Sequence, residues 1–203
     1  MAIIGILSAI SFPKFYHVIR DRKVNRNAME IMNFYRLAKT RALGRGSAVM
    51  VRFTKTGPNS SIGYLEMREA VMNSTPSGLT LTNALPTSSC TATTWENNYQ
   101  GANGGRPVTF RDMGPASNNL GTYEFMGPGA LAAQTGTLSP QPQAELCFTP
   151  RGRTFIRYVP ATTWVPLSSV PRIDVFNARL AAAGAGVVRS VFVPPSGTPR
   201  MGL

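Results

Sequence analysis

Apolar and polar residues divide the chain into a helical N-terminal part and a β-rich remainder. Residues 1–12 are apolar on every side, and residues 14–45 continue with a charged, amphipathic pattern that ends at Gly46. Beyond Gly46, short alternating segments are separated by Pro- and Gly-rich stretches, which is typical of strands and loops. The pattern predicts an α+β fold in which a long N-terminal helix (residues 1–46) packs on an antiparallel β-sheet head domain (residues 47–203).

The apolar run at residues 1–12 has three interpretations, because a helix without a polar face lies either in a protein core or in a membrane. The first is the apolar region of a signal peptide, although a basic segment before it and a cleavage site after it are missing. The second is a buried core helix. The third is the inner half of a membrane helix whose start is absent from this sequence, since the run is shorter than the roughly 20 residues that span a bilayer. The residues alone leave the three open, and we favour the third because of the family resemblance given below.

In the second part of the helix, apolar residues recur at steps of three and four, the period of an α-helix. This face is predicted to dock on the sheet, and its alanines would let the sheet approach closely. It comprises Ala28, Ile31, Met32, Tyr35, Ala38 and Ala42. Pro13 is expected to kink or locally melt the helix, whereas Arg45 followed by Gly46 is a typical helix end. An ordinary surface helix would explain residues 28–45 equally well, but it would leave residues 1–12 unexplained.

The remainder of the chain predicts several short strands. The clearest hairpin leads from residues 146–148 to residues 154–159, through a turn in which Pro150 and Gly152 occupy favourable positions. The other predicted strands are residues 48–54, 62–67, 108–111, 122–126, 172–176 and 187–193. Long loops are expected at residues 73–105 and 127–143, and an irregular tail at residues 194–203.

Basic residues outnumber acidic residues by 21 to 9, which gives a formal net charge of +12. Residues 14–45 alone hold nine basic and two acidic residues. Such an excess beside an apolar helix is typical of a membrane-surface contact. It also suits a polyanion such as DNA. Solubility combined with contact to lipid headgroups is the simpler explanation, and we prefer it.

Candidate chemistry is sparse. Cys90 and Cys147 would form a disulfide in an exported domain, and the alternative is two free thiols in a core. The single histidine, His17, has no recognisable catalytic partners, and zinc-binding Cys/His spacings, P-loop, HExxH and GxSxG motifs do not occur. Glu66 and Glu69 are interpreted as solvated carboxylates at a strand end. We predict that the chain is not an enzyme and that it binds no cofactor and no metal.

The N-terminal string carries a family resemblance. Residues 2–13 (AIIGILSAISFP) resemble the second half of the N-terminal signature of type IV pilins and pseudopilins. In that family a prepilin peptidase cuts before a Phe, and a Glu lies a few residues further on. Both would precede Met1 here, so the resemblance implies an N-terminally truncated form. It assigns to the membrane or the filament core the side chains of Ile3, Ile4, Ile6, Leu7, Ile10, Phe12 and Pro13.

Three further places resemble the FimT/GspH branch of pseudopilins. They are residues 28–53, the turn FTPRGR at residues 148–153, and the closing segment at residues 187–197. The resemblance implies a pilin-like architecture and a minor pilin or pseudopilin, a structural subunit of a type IV pilus or a type II secretion pseudopilus. Its implied partners are other subunits, the inner membrane and a prepilin peptidase. It further implies a single-pass bacterial inner-membrane protein with its head in the periplasm or on the filament surface.

Two alternative functions remain open beside that of a minor pilin or pseudopilin. Some FimT-like proteins bind DNA through a basic C-terminal G-R-x-R turn. The matching positions here are Gly197, Thr198, Pro199 and Arg200, of which the first and the last fit. A DNA-binding minor pilin is therefore one alternative, with candidate nucleic-acid contacts at Arg151, Arg153, Arg189 and Arg200. The other is a membrane-tethered periplasmic β domain of unrelated function.

Overall fold

An α-helix, α1, occupies residues Ala2–Arg45 of the chain in a computed structural model. The structure describes residues 2–57, 62–73, 84–96, 103–113, 122–128, 138–159, 162–177 and 186–202. Helix α1 ends as its sequence indicates, with Arg45 in the last turn and Gly46 at a positive φ of 66°. It continues through Pro13, so the expected local melting there is wrong. In the described part of the chain, helix α1 lacks the combination of length and apolar character needed to cross a membrane.

For the first turns of helix α1 the structure describes the backbone alone. The side chains predicted to lie in the membrane or the filament core, from Ile3 to Pro13, are therefore outside the described residues, as are Met1 and the His17 side chain. Described side chains of the helix begin at Val18, and the first buried one is Val24. The helix consequently joins the described core from its middle onward.

Twelve strands follow in the described residues. They are β1 (Val49–Thr56), β2 (Ile62–Asn73), β3 (Ala84–Pro86), β4 (Asn103–Asp112), β5 (Thr122–Pro128), β6 (Leu138–Gln141), β7 (Gln143–Phe148), β8 (Thr154–Tyr158), β9 (Val165–Pro166), β10 (Arg172–Phe176), β11 (Arg189–Phe192) and β12 (Arg200–Gly202). A seven-stranded sheet has the order β3-β2-β1-β7-β8-β9, with β4 also paired to β2, and a five-stranded sheet has the order β12-β11-β10-β5-β6. The pairs of neighbouring strands are antiparallel in both sheets.

The expected fold class, an α+β helical spine on one antiparallel sheet domain, is wrong. Outside helix α1, the regular structure of the described residues is antiparallel β-sheet. Its strands form two sheets, and the buried face of helix α1 is confined to residues 24–42. The error arose where alternation is weak: the segments expected to be loops at residues 73–105 and 127–143 contribute β3, β4 and β6, and the tail contributes β12.

One hydrophobic core lies between helix α1 and both sheets. The helix contributes six side chains that have no exposed surface, namely Val24, Ala28, Ile31, Tyr35, Ala38 and Ala42, and Met32 is partly buried beside them. Val51 and Leu146 enter from the seven-stranded sheet, and Ile173, Val175 and Val191 enter from the five-stranded sheet. The predicted docking face of the helix therefore packs against two sheets rather than one.

A second, smaller cluster covers the other face of the seven-stranded sheet. It is centred on Met50, Trp95 and Trp164, and it contains the Cys90–Cys147 disulfide. The indole Nε1 of Trp95 donates a hydrogen bond to the carbonyl oxygen of Cys90 at 3.0 Å. Of the two alternatives predicted from the sequence, a disulfide and two free thiols, the structure has the disulfide. This bond attaches the segment at residues 87–96 to strand β7.

We predict that Ala38→Arg destabilises the full chain by about 3 kcal/mol or more, because it places an unpaired charge in the core between helix and sheets. Leu37→Arg is a matched control, since the neighbouring Leu37 side chain is 53% exposed. Thermal unfolding should show a loss of about 10 °C for the Ala38 variant and a shift within about 2 °C for the control. Equal melting temperatures for the two variants would contradict the assignment of the buried face.

Candidate functional site

A buried carboxylate on strand β2, that of Glu69, attaches the C-terminal end of helix α1 to this strand through hydrogen bonds. The Glu69 side chain has no exposed surface and accepts hydrogen bonds from Arg41 Nη2 (2.9 Å), Arg45 Nε (2.7 Å), Arg106 Nη2 (2.7 Å) and Ser47 Oγ (2.8 Å). Burial by itself raises the pKa of Glu69, but the hydrogen bonds from Arg106, Ser47 and Arg41 outweigh it and lower the pKa to about 2. This arginine cluster ties the helix end to strands β2 and β4.

A row of alternating charges crosses the opposite face of the seven-stranded sheet. The strand register places Glu66, Arg52, Glu145 and Arg157 as direct neighbours on β2, β1, β7 and β8. Arg52 and Arg157 both bond the fully buried Glu145, and Glu96 pairs with Arg52 from the loop above. Burial lowers the pKa of Arg52, but the carboxylates of Glu145 and Glu96 outweigh it and raise this pKa. The charges compensate one another, so this row stabilises the pairing of four strands.

The four arginines predicted to contact nucleic acid lie at three places. Arg151 and Arg153 are exposed in the turn between β7 and β8. Arg189, on β11, donates from Nε to Asn25 Oδ1 of helix α1 at 3.3 Å. Arg200 is exposed at the start of β12. The structure therefore brings Arg151 and Arg153 together and attaches Arg189 to the helix.

The C-terminal turn at residues 197–200, which the sequence analysis compared with a DNA-binding motif, is anchored in the fold. Lys39 Nζ of helix α1 donates to the Ser196 carbonyl oxygen at 2.9 Å and to Thr198 Oγ1 at 2.6 Å. Gly197 has a φ of 72°, and a Cβ atom there would lie 2.7 Å from Thr154 Oγ1. The turn consequently packs against both the helix and the β8 strand.

An open cleft lies between the turn at residues 149–153 and the disulfide segment at residues 88–91. It has a volume of about 290 Å³ and is lined by Arg151, Arg153 and four hydroxyl side chains, those of Ser88, Ser89, Thr91 and Thr149. The turn is held by a Thr149 N–H to Arg153 carbonyl bond of 2.9 Å and by Gly152 at a φ of 78°. The Cys90–Cys147 disulfide fixes the other wall to β7. Two short segments thus form a basic, hydroxyl-lined cleft.

Sequence reasoning missed the two buried carboxylates. Glu69 was interpreted as a solvated strand-end residue, and this is wrong because its side chain is fully buried. Its arginine partners lie 24, 28 and 37 positions away in sequence, so no local pattern connects them. The available signal was an acid inside an apolar strand, as for Glu145 between Ala144 and Leu146, because such a residue needs a basic partner.

We predict that Glu69→Gln lowers the free energy of unfolding by about 3 kcal/mol at pH 7, since a folded-state pKa of about 2 lies well below the ordinary 4.5. A depressed carboxylate pKa contributes stability that is fully present above pH 4.5 and is lost as the pH falls through 2. The free energy of unfolding of the wild type, measured in urea, should therefore decline over that pH window, and that of the variant should decline less.

Glu30→Gln is the control, because it removes a half-buried pair with Arg26 and Arg111. It should lower the free energy of unfolding by under about 1 kcal/mol. A Glu69 variant as stable as wild type at pH 7 would contradict the role of the cluster.

In the described part of the chain, no three His, Cys, Asp or Glu side chains come together as metal ligands. Comparison with known proteins found no matching family model, no matching curated protein and no matching solved structure. Any function assigned to the chain therefore has to be argued from its own residues.

Proposed function

We propose that the chain is a structural subunit of a helical filament, of the minor pilin or pseudopilin class. The observation that carries the proposal is the division of one continuous helix, Ala2–Arg45, into two parts. One face of residues 24–42 is buried in the head domain, whereas residues 2–12 are apolar in sequence on every side. An apolar helical surface of that kind needs a partner, and identical or related helices are suitable partners.

The dimensions of the helix suit this division. At about 1.5 Å per residue, residues 2–23 span about 33 Å ahead of Val24, which is the first buried residue among the described side chains of the helix. The next part of the helix, from Val24 to Arg45, attaches to the head domain in two ways. It contributes side chains to the hydrophobic core, and its Arg41 and Arg45 bind Glu69. In the proposed filament, the N-terminal part of the helix packs with its counterparts and the head is carried outside.

The head domain has the properties of a scaffold. Its two fully buried carboxylates, Glu69 and Glu145, are each neutralised by arginines, which suits the attachment of strands and helix rather than proton transfer. The Cys90–Cys147 disulfide supports a head domain that faces an oxidising compartment such as the periplasm. Anchoring of the apolar part in the bacterial inner membrane before assembly, and processing by a prepilin peptidase, belong to this proposal as steps that the pilin resemblance implies.

We predict that Ile6→Arg removes the chain from higher-order assemblies in cells of its source organism, because a charge in an apolar helix–helix contact is unfavourable. An affinity-tagged full chain, crosslinked in intact cells, should give a ladder of species whose partners mass spectrometry identifies as this chain or related subunits. The variant should lose the ladder at least tenfold, while its melting temperature stays unchanged, since Ile6 precedes the buried part of the helix.

Val170→Arg is the matched control, because it introduces the same charge at a head-domain side chain that is 44% exposed. It should keep the crosslinked ladder. A ladder that survives Ile6→Arg, or that both variants lose equally, would contradict assembly through the N-terminal part of the helix. It would favour the alternative of a tethered β domain with an unrelated role.

A further inference from the structure

The described acidic residues of this chain interact with other residues of the same chain. Eight of the nine have side chains that the structure describes, and each of the eight takes part in an ion pair, a hydrogen bond or an electrostatic interaction with another residue. They are Asp21, Glu30, Glu66, Glu69, Glu96, Asp112, Glu145 and Asp174. The chain has 21 basic residues and nine acidic residues, so its carboxylates cannot pair one to one with its basic side chains.

Arg151 and Arg153 are the clearest instance among the described residues. Both are exposed, and neither guanidinium has an ion pair or a side-chain hydrogen bond within the described part of the chain. They nevertheless line the same cleft, and none of the other described residues that line it is acidic. Two uncompensated guanidiniums in one concave site favour an anion from solution, because each can offer paired N–H donors to it.

The walls of this cleft are fixed before any ligand arrives. Thr149 Oγ1 accepts a hydrogen bond from the Arg153 N–H at 3.1 Å, and Ser89 Oγ accepts one from the Ala92 N–H at 3.0 Å. The disulfide holds the Ser89 segment to β7, two residues before Thr149. The Thr149 hydroxyl donates to the Arg153 carbonyl oxygen at 3.1 Å, and between Ser89 and Thr91 one hydroxyl donates to the other at 3.3 Å. Among the described residues that line the cleft, Ser88 and one of that pair keep a hydroxyl hydrogen available for a ligand, and a preformed wall lowers the entropy lost on binding.

We propose that this cleft binds a phosphate group, either as free phosphate or as part of a nucleic-acid strand. A phosphate offers oxygens to both arginines and to the Ser and Thr hydroxyls together, whereas a single carboxylate has two oxygens to share. The volume of about 290 Å³ accommodates a small group rather than a large ligand. This inference does not depend on the filament role of the helix.

Calorimetric titration of the full chain at low salt with inorganic phosphate, and separately with a short single-stranded oligonucleotide, tests the proposal. The double variant Arg151→Met/Arg153→Met should bind at least tenfold more weakly. The control Arg22→Met/Arg36→Met removes the same charge from exposed positions of helix α1 and should bind within about twofold of wild type. If the oligonucleotide is the ligand, the cleft variant should also reduce the slope of log affinity against log salt by about 1.5.

Binding of phosphate alone would identify free phosphate as the source, and binding of the oligonucleotide alone would identify a nucleic-acid strand. No binding of either ligand by the wild type overturns the proposal, as does an equal loss in both double variants, which would show an effect of net charge. Amide chemical shifts of the wild type provide a second measurement that needs no variant. Shifts induced by the ligand should map to residues 88–91 and 149–155, and shifts confined to other segments overturn the assignment.

Discussion

Burial of one face of helix α1 against two sheets is the constraint from which the head domain follows. The seven-stranded sheet reaches this face through residues such as Leu146, and the five-stranded sheet reaches it through residues such as Ile173. Alanines on the face, among them Ala38, carry no atoms beyond Cβ, so both sheets can approach the helix backbone closely. Ile31 and Tyr35 fill the remaining volume at the density that protein interiors require. The helix thereby makes one core out of two separate sheets.

Charge is organised around the same constraint. A buried carboxylate is stable only when charged hydrogen bonds replace its water, and arginines from distant segments provide these bonds to Glu69 and Glu145. Each cluster favours one strand register, since Glu69 lies opposite its partner Arg106 on β4 and Glu145 lies opposite its partner Arg52 on β1. Acids used in this way no longer balance the exposed arginines. The excess of basic residues that gives the net charge of +12 therefore lies at the surface, in places such as the cleft at Arg151.

Local periodicity predicted what depends on local geometry. The helical spacing from Ala28 to Ala42 corresponds to the face that is buried, and the turn residues around Gly152 lie in a hairpin. The pairing of strands that are distant in sequence has no comparable local pattern. Strand β4 contains two glycines and a proline that interrupt alternation, yet it pairs along β2, and Trp95 packs so closely on Gly105 that a Cβ atom would lie 2.7 Å from the Trp95 carbonyl oxygen. The tertiary contacts make this segment a strand.

Strand β7 connects the helix to the cleft, because successive side chains of a strand point to opposite faces. Phe148 enters the core, where its ring meets Tyr35 of helix α1 edge to face at a centroid distance of 6.3 Å. Cys147 lies on the other face and holds the segment that forms one wall of the cleft. Thr149 follows directly and begins the turn that forms the second wall. The packing that positions the helix therefore also sets the position of both walls, and the turn that carries the arginines of the cleft directly follows a strand that is packed on both faces.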